Sequence, residues 1–285
     1  MRGTMTRRKW LGNAAAFVGA AGTAAELCAG SPEGVENGAG IIDSHVHLKH
    51  GDAARTEYSP ETIVEVMDRV GIDRSVVFAM SCTTRRSIEM AEAAVRKYPE
   101  RLIPYVYALP HYERPVIKEI DSVLADGRFR GIKIHAGECT LASYVIDPVL
   151  KVAGRRGVPC LIDCIGRYDT AERMARTFPD TTLIYAHMGR YLCRDARLID
   201  RFIGLAETFP NVLLDLSGVV LVEKIVEAAK RIGSHRLLWG TDGPHAKPDT
   251  VAFARTELEK IQRLELSPED KANILGGTVR RLLRL

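Results

Sequence analysis

The feature that most constrains the fold is an alternation of short β-branched apolar runs with longer stretches of helical period, which continues from Ile41 to the C-terminus. This alternation is typical of parallel βαβ units, in which a helix follows each strand and returns the chain to the same sheet. Eight apolar runs qualify as strands. The predicted strands are Ile41–His47, Arg74–Ser81, Leu102–Pro110, Phe129–His135, Val158–Ile165, Thr182–Gly189, Val212–Val219 and Leu237–Pro244.

The stretches between these runs carry helix signals, and the first stretch is the clearest. Ser59 stands at the N-cap position, Pro60 at the first helical position and Gly71 at the end. One face of this helix is apolar and consists of Ile63, Val66, Met67 and Val70. The other predicted helices cover residues 84–98, 114–126, 146–156, 169–178, 195–208, 222–232, 250–264 and 267–284.

Eight strands, each followed by a helix, match the size and pattern of a (β/α)₈ TIM barrel, which typically needs roughly 250 residues. The predicted class is therefore α/β, with one barrel domain over residues 40–285. No composition break, low-complexity segment or glycine-rich linker after residue 40 indicates a second domain. A doubly wound open sheet is the alternative fold for the same pattern.

The N-terminal segment, residues 1–29, is predicted to be an export signal rather than part of the barrel. Arg7 and Arg8 precede a weakly apolar, Ala/Gly-rich run over residues 13–25, as in a twin-arginine signal. That run is too short and too weakly apolar for a transmembrane helix. We therefore expect a periplasmic protein without stable membrane insertion after processing, the alternative being an uncleaved disordered tail.

The charge of the chain argues against nucleic acid as a partner. The formal net charge is +4, but residues 1–29 contain four basic residues and one acid, so the remainder is near neutral. Affinity for a phosphate backbone needs clustered Lys and Arg, and no basic stripe is present. The expected partner is a small-molecule substrate.

Polar side chains end most of the predicted strands. In a TIM barrel the carboxyl ends of the strands face one shared pocket, where active sites lie. The residues at these ends are His45, His47, His111, His135, Asp163, His187, Asp242 and His245. Of the eight histidines, only His50 and His235 are expected to lie elsewhere. Six histidines at one rim are difficult to explain as isolated core residues, so we predict an active site there.

The pair His45 and His47 is a candidate metal site. Residues i and i+2 of a strand point to the same side and can present two imidazoles to one ion. Asp242 belongs to the last strand, which neighbours the first in a closed barrel. Imidazole and carboxylate ligands suit zinc and its first-row neighbours.

Four motifs together resemble those of the amidohydrolase superfamily, in the branch that includes aminocarboxymuconate-semialdehyde decarboxylase and related hydrolases. They are Asp43-Ser44-His45-Val46-His47, Gly131-Ile132-Lys133-Ile134-His135, Ala186-His187-Met188-Gly189 and Leu238-Trp239-Gly240-Thr241-Asp242. The resemblance extends from about residue 40 to the C-terminus. It implies that His45 and His47 bind the metal, that Asp242 is a ligand that also handles protons, and that His187 is the catalytic histidine.

One position departs from the family pattern. The family usually has a metal-binding histidine on the fifth strand, where this chain has Asp163. Asp163 could ligate the metal instead, since carboxylates also bind zinc, and an oxygen-richer site would favour manganese or magnesium more. Two alternatives stay open: His135 supplies a third nitrogen, or the site is weak or lost.

The resemblance implies a metal-dependent hydrolase that acts on an ester, lactone, amide or carbon–carbon bond of a small molecule. Arg190 and Arg167 are expected near the rim, where they could clamp a substrate carboxylate, and His135 is a further candidate for substrate binding. The alternatives are a metal-dependent non-oxidative decarboxylase and a non-catalytic binding barrel. Such barrels commonly form homodimers, although no segment of the sequence identifies an interface.

Overall fold

The computed structural model describes residues 40–245 and 249–285. The predicted export signal, including Arg7 and Arg8, lies outside the described residues. Across the described part of the chain, no helix has both the length and the apolar character that spanning a membrane requires.

Eight parallel strands form a barrel in which each strand pairs with the next one along the chain. They are β1 (Ile42–Lys49), β2 (Arg74–Ala79), β3 (Leu102–Tyr107), β4 (Gly131–His135), β5 (Cys160–Asp163), β6 (Leu183–Tyr185), β7 (Val212–Asp215) and β8 (Leu237–Leu238). The seam between first and last strands is joined by Asp242 N donating to His45 O at 2.9 Å and His47 N donating to Gly243 O at 2.7 Å. The TIM-barrel prediction is confirmed and the open-sheet alternative is wrong, because a doubly wound sheet reverses its strand order part-way.

The helices pack around the barrel in the predicted order. They are α1 (Pro60–Val70), α2 (Thr84–Lys97), α3 (Ile117–Ala125), α4 (Ser143–Arg156), α5 (Tyr168–Thr177), α6 (Ala196–Thr208), α7 (Glu223–Ile232), α8 (Thr250–Gln262), α9 (Pro268–Ala272) and α10 (Thr278–Leu283). α1 begins and ends as its sequence predicts. Ser59 Oγ accepts a hydrogen bond from Thr62 N at 3.1 Å, and Gly71 ends the helix with φ 85°.

The C-terminal part differs from the single helix predicted over residues 267–284. A π-helical turn, Asn273–Gly277, separates α9 from α10. Within it, Ile274 O accepts a hydrogen bond from Trp239 N at 3.0 Å, which is also why β8 ends at Leu238 rather than at Pro244. Gly276 lies against the start of β1, where a Cβ atom would come within 2.3 Å of Gly40 O.

Two layers of apolar side chains leave one end of the barrel available for chemistry. The outer layer lies between strands and helices, and the inner layer fills the barrel with residues such as Phe78, Tyr105 and Leu161. Val279 and Leu283 of α10 join the inner layer and close the amino-terminal end. The open end is therefore the one at which the strands finish, as in other TIM barrels.

Candidate active site

A cavity of about 470 Å³ opens at the carboxyl ends of the strands. It is lined by His47, His50, Gly51, Asp52, Tyr58, Met80, Lys133, His135, Asp163, His187, Tyr191, Asp242 and His245. Many of these side chains end strands β1, β4, β5 and β6 or follow β8, as the strand-end pattern predicts. His45 is fully buried and lies beneath the cavity rather than in its lining.

Three buried groups form a cluster with the geometry of a metal site. Single ligand atoms of His45, His187 and Asp242 lie within 4.8 Å of one another. His45 Nε2 is 3.0 Å from Asp242 Oδ1, and His47 Nε2 is 2.9 Å from the same oxygen. The two histidines of β1 thus converge on Asp242, and His187 joins them from the turn after β6. His187 had been expected as a catalytic residue and not as a member of the ligand cluster.

Asp43 explains why β1 presents its histidines to Asp242. Its Oδ1 accepts hydrogen bonds from the backbone nitrogens of His45 and Thr241, both at 3.0 Å, and its Oδ2 accepts one from Thr241 Oγ1 at 2.7 Å. Burial of the carboxyl raises the pKa of Asp43 to about 7. Asp43 is therefore a cross-strand anchor between β1 and the segment after β8.

Asp215, at the end of β7, orients His45. Asp215 Oδ1 lies 3.3 Å from His45 Nδ1 and also accepts a hydrogen bond from Ser217 Oγ at 2.5 Å. Burial opposes the charge of Asp215, but His45, with His187 and Ser217, outweighs burial and lowers the pKa of Asp215 to about 2. A carboxylate that accepts a hydrogen bond from Nδ1 leaves the lone pair of His45 on Nε2, where it can bind an ion. The strand-end pattern could have indicated Asp215, but its role had not been anticipated.

The backbone turn after β6 places His187 at the cavity floor. His187 has a left-handed φ of 60° and its Nδ1 donates to Ser217 O at 2.9 Å, so its Nε2 faces Asp163 Oδ2 at 3.6 Å. Burial favours the neutral imidazole, but the carboxylates of Asp242 and Asp163 outweigh it and raise the pKa of His187 to about 9. His187 is therefore placed and charged to donate a proton into the cavity.

Asp163 lines the cavity but is not a member of the cluster formed by His45, His187 and Asp242. Its Oδ2 is 3.1 Å from His135 Nε2, and its Oδ1 accepts a hydrogen bond from Ile165 N at 2.9 Å. Burial opposes ionisation, but His135 and His187 hold the pKa of Asp163 well below its usual range. The structure thus brings Asp163 and His135 together beside the cluster, with Asp163 between the two histidines.

Lys133 is a site residue whose role the sequence had not indicated, although it lies in one of the motifs. It is almost fully buried, and its Nζ donates to His45 Nε2 at 2.9 Å and lies 5.0 Å from the Phe78 ring centre. Burial lowers the pKa of Lys133. The possible signal was a lysine in an otherwise apolar strand, since an unpaired lysine is rarely fully buried.

His50 lies in the cavity, so the expectation that it lies elsewhere is wrong. β1 extends to Lys49, and this brings the His50 ring onto His47, with ring centres 4.1 Å apart. His50 Nε2 is also 3.1 Å from Asp242 O, and the His245 ring lies 4.9 Å away. Burial lowers the pKa of both His50 and His245, which favours the neutral form of each imidazole.

The remaining predicted residues lie outside this cavity. His111 and Arg167 line a neighbouring groove of about 430 Å³, together with the exposed Tyr112 and Tyr144. Arg190 is exposed and its Cβ and Cδ atoms lie beside Gly166. In the described structure, neither predicted arginine lines the central cavity.

The residues present fit a divalent cation. With the Nδ1 proton directed at Asp215, His45 Nε2 and Asp242 Oδ1 are two acceptors only 3.0 Å apart. Burial makes their mutual repulsion costly, so the site favours a cation; Lys133 Nζ donates to His45 Nε2 at 2.9 Å, and a divalent ion could take its place between the two acceptors. Two imidazole nitrogens and a carboxylate oxygen are also the donor set that zinc and manganese accept.

The family model described as "Amidohydrolase" matches residues 42–285, which is the whole barrel. The chain belongs to the amidohydrolase family. This assignment confirms the resemblance found in the motifs and makes the protein an enzyme whose family includes metal-dependent catalysts. The comparison with curated proteins gave no match.

Solved structures of several amidohydrolases share the fold. A probable 2-pyrone-4,6-dicarboxylic acid hydrolase from Acinetobacter baumannii, with citric acid bound, is 15% identical with a TM-score of 0.68, over 86% of this chain and 100% of that one. The 5-carboxyvanillate decarboxylase from Novosphingobium aromaticivorans, complexed with manganese and 4-hydroxy-3-methoxy-5-nitrobenzoic acid, is 16% identical with a TM-score of 0.69, over 88% and 98%. A zinc-bound amidohydrolase from Burkholderia multivorans is 15% identical with a TM-score of 0.67, over 87% and 100%.

Proposed function

We propose that the protein is a metal-dependent hydrolase that cleaves an ester, lactone, amide or carbon–carbon bond of a small carboxylated molecule. The observation that carries this proposal is the buried cluster of His45, His187 and Asp242 at the floor of an open cavity. A divalent ion held there by His45, His47 and Asp242, which leaves His187 unbound beside it, would supply Lewis acidity toward a substrate oxygen and toward water.

The protein's own groups supply the proton transfers. Asp242 is ionised, because His45 and His187 outweigh the effect of burial and keep its pKa well below the usual range. It can therefore accept a proton from attacking water. His187, whose pKa is raised to about 9, can donate a proton from Nε2 to the leaving group. A base and an acid in one cavity are what hydrolysis of an acyl bond needs.

A carboxylated substrate is supported by cationic groups around the cavity. The ammonium of Lys133 lies in the lining of the cavity, where a desolvated ion pair with a carboxylate would be strong. His135 is 24% exposed and within the same lining, and is the nearest candidate for orienting a polar substrate group. Arg167, in the neighbouring groove, makes no ion pair with a described residue and could bind a second anionic group of a longer substrate.

Zinc is the proposed metal, with manganese as the alternative. Nitrogen ligands favour zinc, whereas the carboxylates of Asp163 and Asp242 would also suit manganese. Elemental analysis of purified protein should find about one divalent ion per chain, as expected for a single three-ligand cluster. Asp163→Ala should keep that ion if Asp163 only pairs with His135 and His187, and should lose it if Asp163 is a ligand. A wild-type protein that resists loading with either metal would contradict the proposal.

A second candidate activity is non-oxidative decarboxylation of a small aromatic or unsaturated acid. It is favoured by the structural likeness to 5-carboxyvanillate decarboxylase and by a protonated His187, which could donate a proton to carbon as carbon dioxide leaves. Incubation with lactones and with aromatic acids distinguishes the two activities. Acid release from a lactone supports the hydrolase, and carbon dioxide release from an aromatic acid supports the decarboxylase.

We also propose that the protein is exported to the periplasm through the twin-arginine route. The proposal rests on Arg7 and Arg8 before the Ala/Gly-rich run. This route carries folded proteins, so the metal could be loaded in the cytoplasm. Replacing both arginines with lysine should leave the protein in the cytoplasm, and recovery of the variant from the periplasm would contradict the proposal.

A homodimer is the proposed assembly, because barrels of this type commonly dimerise. Light scattering should give about twice the mass of a single chain, which is 31.5 kDa at full length, and a value equal to one chain would contradict the proposal.

A further inference from the structure

We infer that Glu257, on the outer helix α8, is a positioning residue for His187 and acts through a single peptide group. The inference rests on the proposed function, since it assigns His187 a catalytic role. Glu257 is 8% exposed, whereas acidic residues are rarely buried unless paired. Its position outside the barrel wall, away from the cavity lining, calls for a physical reason.

The carboxylate of Glu257 binds the loop that follows β7. Glu257 Oε2 accepts a hydrogen bond from Gly218 N at 3.2 Å and forms an ion pair with Lys260 Nζ at 2.5 Å. Lys260 Nζ also donates to Val219 O at 3.1 Å. Two charged groups of α8 thus hold two consecutive residues of this loop.

The same peptide group that Glu257 holds also contacts His187. The N–H of Gly218 and the carbonyl of Ser217 belong to one planar unit, which cannot twist about its C–N bond. Ser217 O accepts the Nδ1 proton of His187 at 2.9 Å. Glu257 at one end and His187 at the other therefore fix the rotation of this plane. A carboxylate at the N–H also polarises the carbonyl, which strengthens its hydrogen bond to the imidazole.

The conformation of Gly218 adds a second constraint. Its φ is +63°, and a Cβ atom there would come within 2.3 Å of the Tyr191 ring. Tyr191 in turn packs edge-on against His187, with ring centres 5.0 Å apart. Gly218 O also accepts a hydrogen bond from Leu192 N at 3.3 Å. The loop held by Glu257 therefore contacts His187 directly through the Ser217 carbonyl and indirectly through Tyr191, which packs between Gly218 and His187.

The hydrogen bond of the His187 Nδ1 proton therefore depends on Glu257, which lies on the far side of the barrel wall. The direction of His187 Nε2 depends on it as well. Loss of the acceptor at Glu257 would let the Ser217–Gly218 peptide rotate. His187 Nδ1 would then lose the Ser217 carbonyl and keep only Ser217 Oγ, 3.0 Å away, without any change in the groups that face the cavity. The expected effect falls on turnover, because substrate contacts in the cavity are retained.

The first test is spectroscopic and needs no substrate. In protein labelled with ¹⁵N-histidine, the lifetime of the His187 Nδ1 proton is measured for the wild type, Glu257→Gln and Glu257→Leu. The resonance is assigned by its absence from His187→Gln. We expect the longest lifetime in the wild type, an intermediate one in Glu257→Gln, which keeps an acceptor, and the shortest in Glu257→Leu. Equal lifetimes would overturn the inference. If Glu257→Leu does not fold, equal lifetimes in the wild type and Glu257→Gln decide against it.

The second test uses turnover once a substrate is known. In Glu257→Leu we expect kcat to fall by about tenfold to a hundredfold, the size of effect that slight misplacement of a reacting group causes. KM and metal content should change less than about twofold, because the cavity contacts remain. A loss confined to KM or to metal content would overturn the inference. An inactive wild type would count against the proposed function alone, because the proton lifetimes would still report the coupling.

The chain contains a matched control on the next outer helix. Lys224 and Glu227 of α7 form an ion pair with the same i,i+3 spacing at 2.7 Å, and Lys224 also binds Asp200 of α6. Among the residues that the structure describes, neither side chain bonds to the loop that carries Ser217. Glu227→Leu should therefore leave the His187 proton lifetime unchanged. An equal change in both variants would show a general effect of removing helix ion pairs and would overturn the inference.

Discussion

His45 Nε2 lies 3.0 Å from Asp242 Oδ1, across the seam where the first and last strands of the barrel meet. Two acceptor atoms are held this close because the backbones beside them are hydrogen-bonded, with Asp242 N donating to His45 O at 2.9 Å. Asp43 strengthens the seam from below by binding His45 N and Thr241. The pairing of β1 with the segment that follows β8 therefore builds the core of the candidate metal site.

His45→Ala should abolish metal binding. The variant removes one of the three ligands in the cluster and leaves Asp242 with His47 as its remaining imidazole partner from β1. We expect the metal content to fall from about one ion per chain to below about a tenth of that, because zinc sites in proteins commonly use three protein ligands or more. Elemental analysis after dialysis measures it. His235→Ala, which changes a histidine outside the cavity lining, is the control and should keep the ion.

Lys133→Met should weaken binding of carboxylated substrates. It removes the buried ammonium from the cavity while keeping a similar side-chain volume. A hydrogen bond to a charged group contributes about 1.5–3 kcal/mol, so KM should rise by roughly tenfold to a hundredfold. The corresponding uncharged amide substrate should be affected little. An equal rise for acid and amide would show that Lys133 supports the cavity rather than the carboxylate. The exposed Lys118→Met is the control.

The stability of the metal-free protein should fall as the pH rises through about 9. The pKa of His187 is about 9 in the folded chain and near 6.5 when unfolded, so the folded state binds the proton more tightly. The resulting stabilisation is complete below pH 6.5 and is lost above pH 9, with a size of up to about 3 kcal/mol. Chemical denaturation at about pH 6, 7.5, 9 and 10, in the presence of a chelator, measures the free energy of unfolding. In His187→Gln this part of the pH dependence should be absent.

Gly240→Ala should destabilise the barrel and damage the metal site. A Cβ atom at Gly240 would lie 2.7 Å from His45 Cβ and 3.1 Å from Asp215 Oδ2. Overpacking of this kind typically costs about 1–3 kcal/mol, and here it would displace a ligand as well. We expect a lower Tm together with a lower metal content. Gly204→Ala in α6 is the control, since its nearest neighbours are 3.9 Å away and a helical alanine is more stable than glycine.

The order of the elements could be predicted from the sequence because each strand and helix is encoded locally. β-branched apolar runs separated by helical stretches give eight βα units, and eight units of this size close into a barrel. The ends of elements were harder to predict. β8 is short because Trp239 N donates its hydrogen bond to Ile274 O rather than to a neighbouring strand. The final helix is interrupted where Gly276 packs against the backbone of Gly40. Both events depend on residues far apart in the chain.

The sequence by itself also determined that His45, His47, His187 and Asp242 lie at one end of the barrel, since each stands at or just after the end of a strand. Only the tertiary structure decided their partners. Lys133 donates to His45 Nε2 and Asp215 accepts a hydrogen bond from His45 Nδ1, whereas Asp163 pairs with His135. Strand position specifies the end of the barrel at which a side chain lies, because the backbone period is local. The partner of a side chain depends on which strands become neighbours and on rotamers that burial and charge select together.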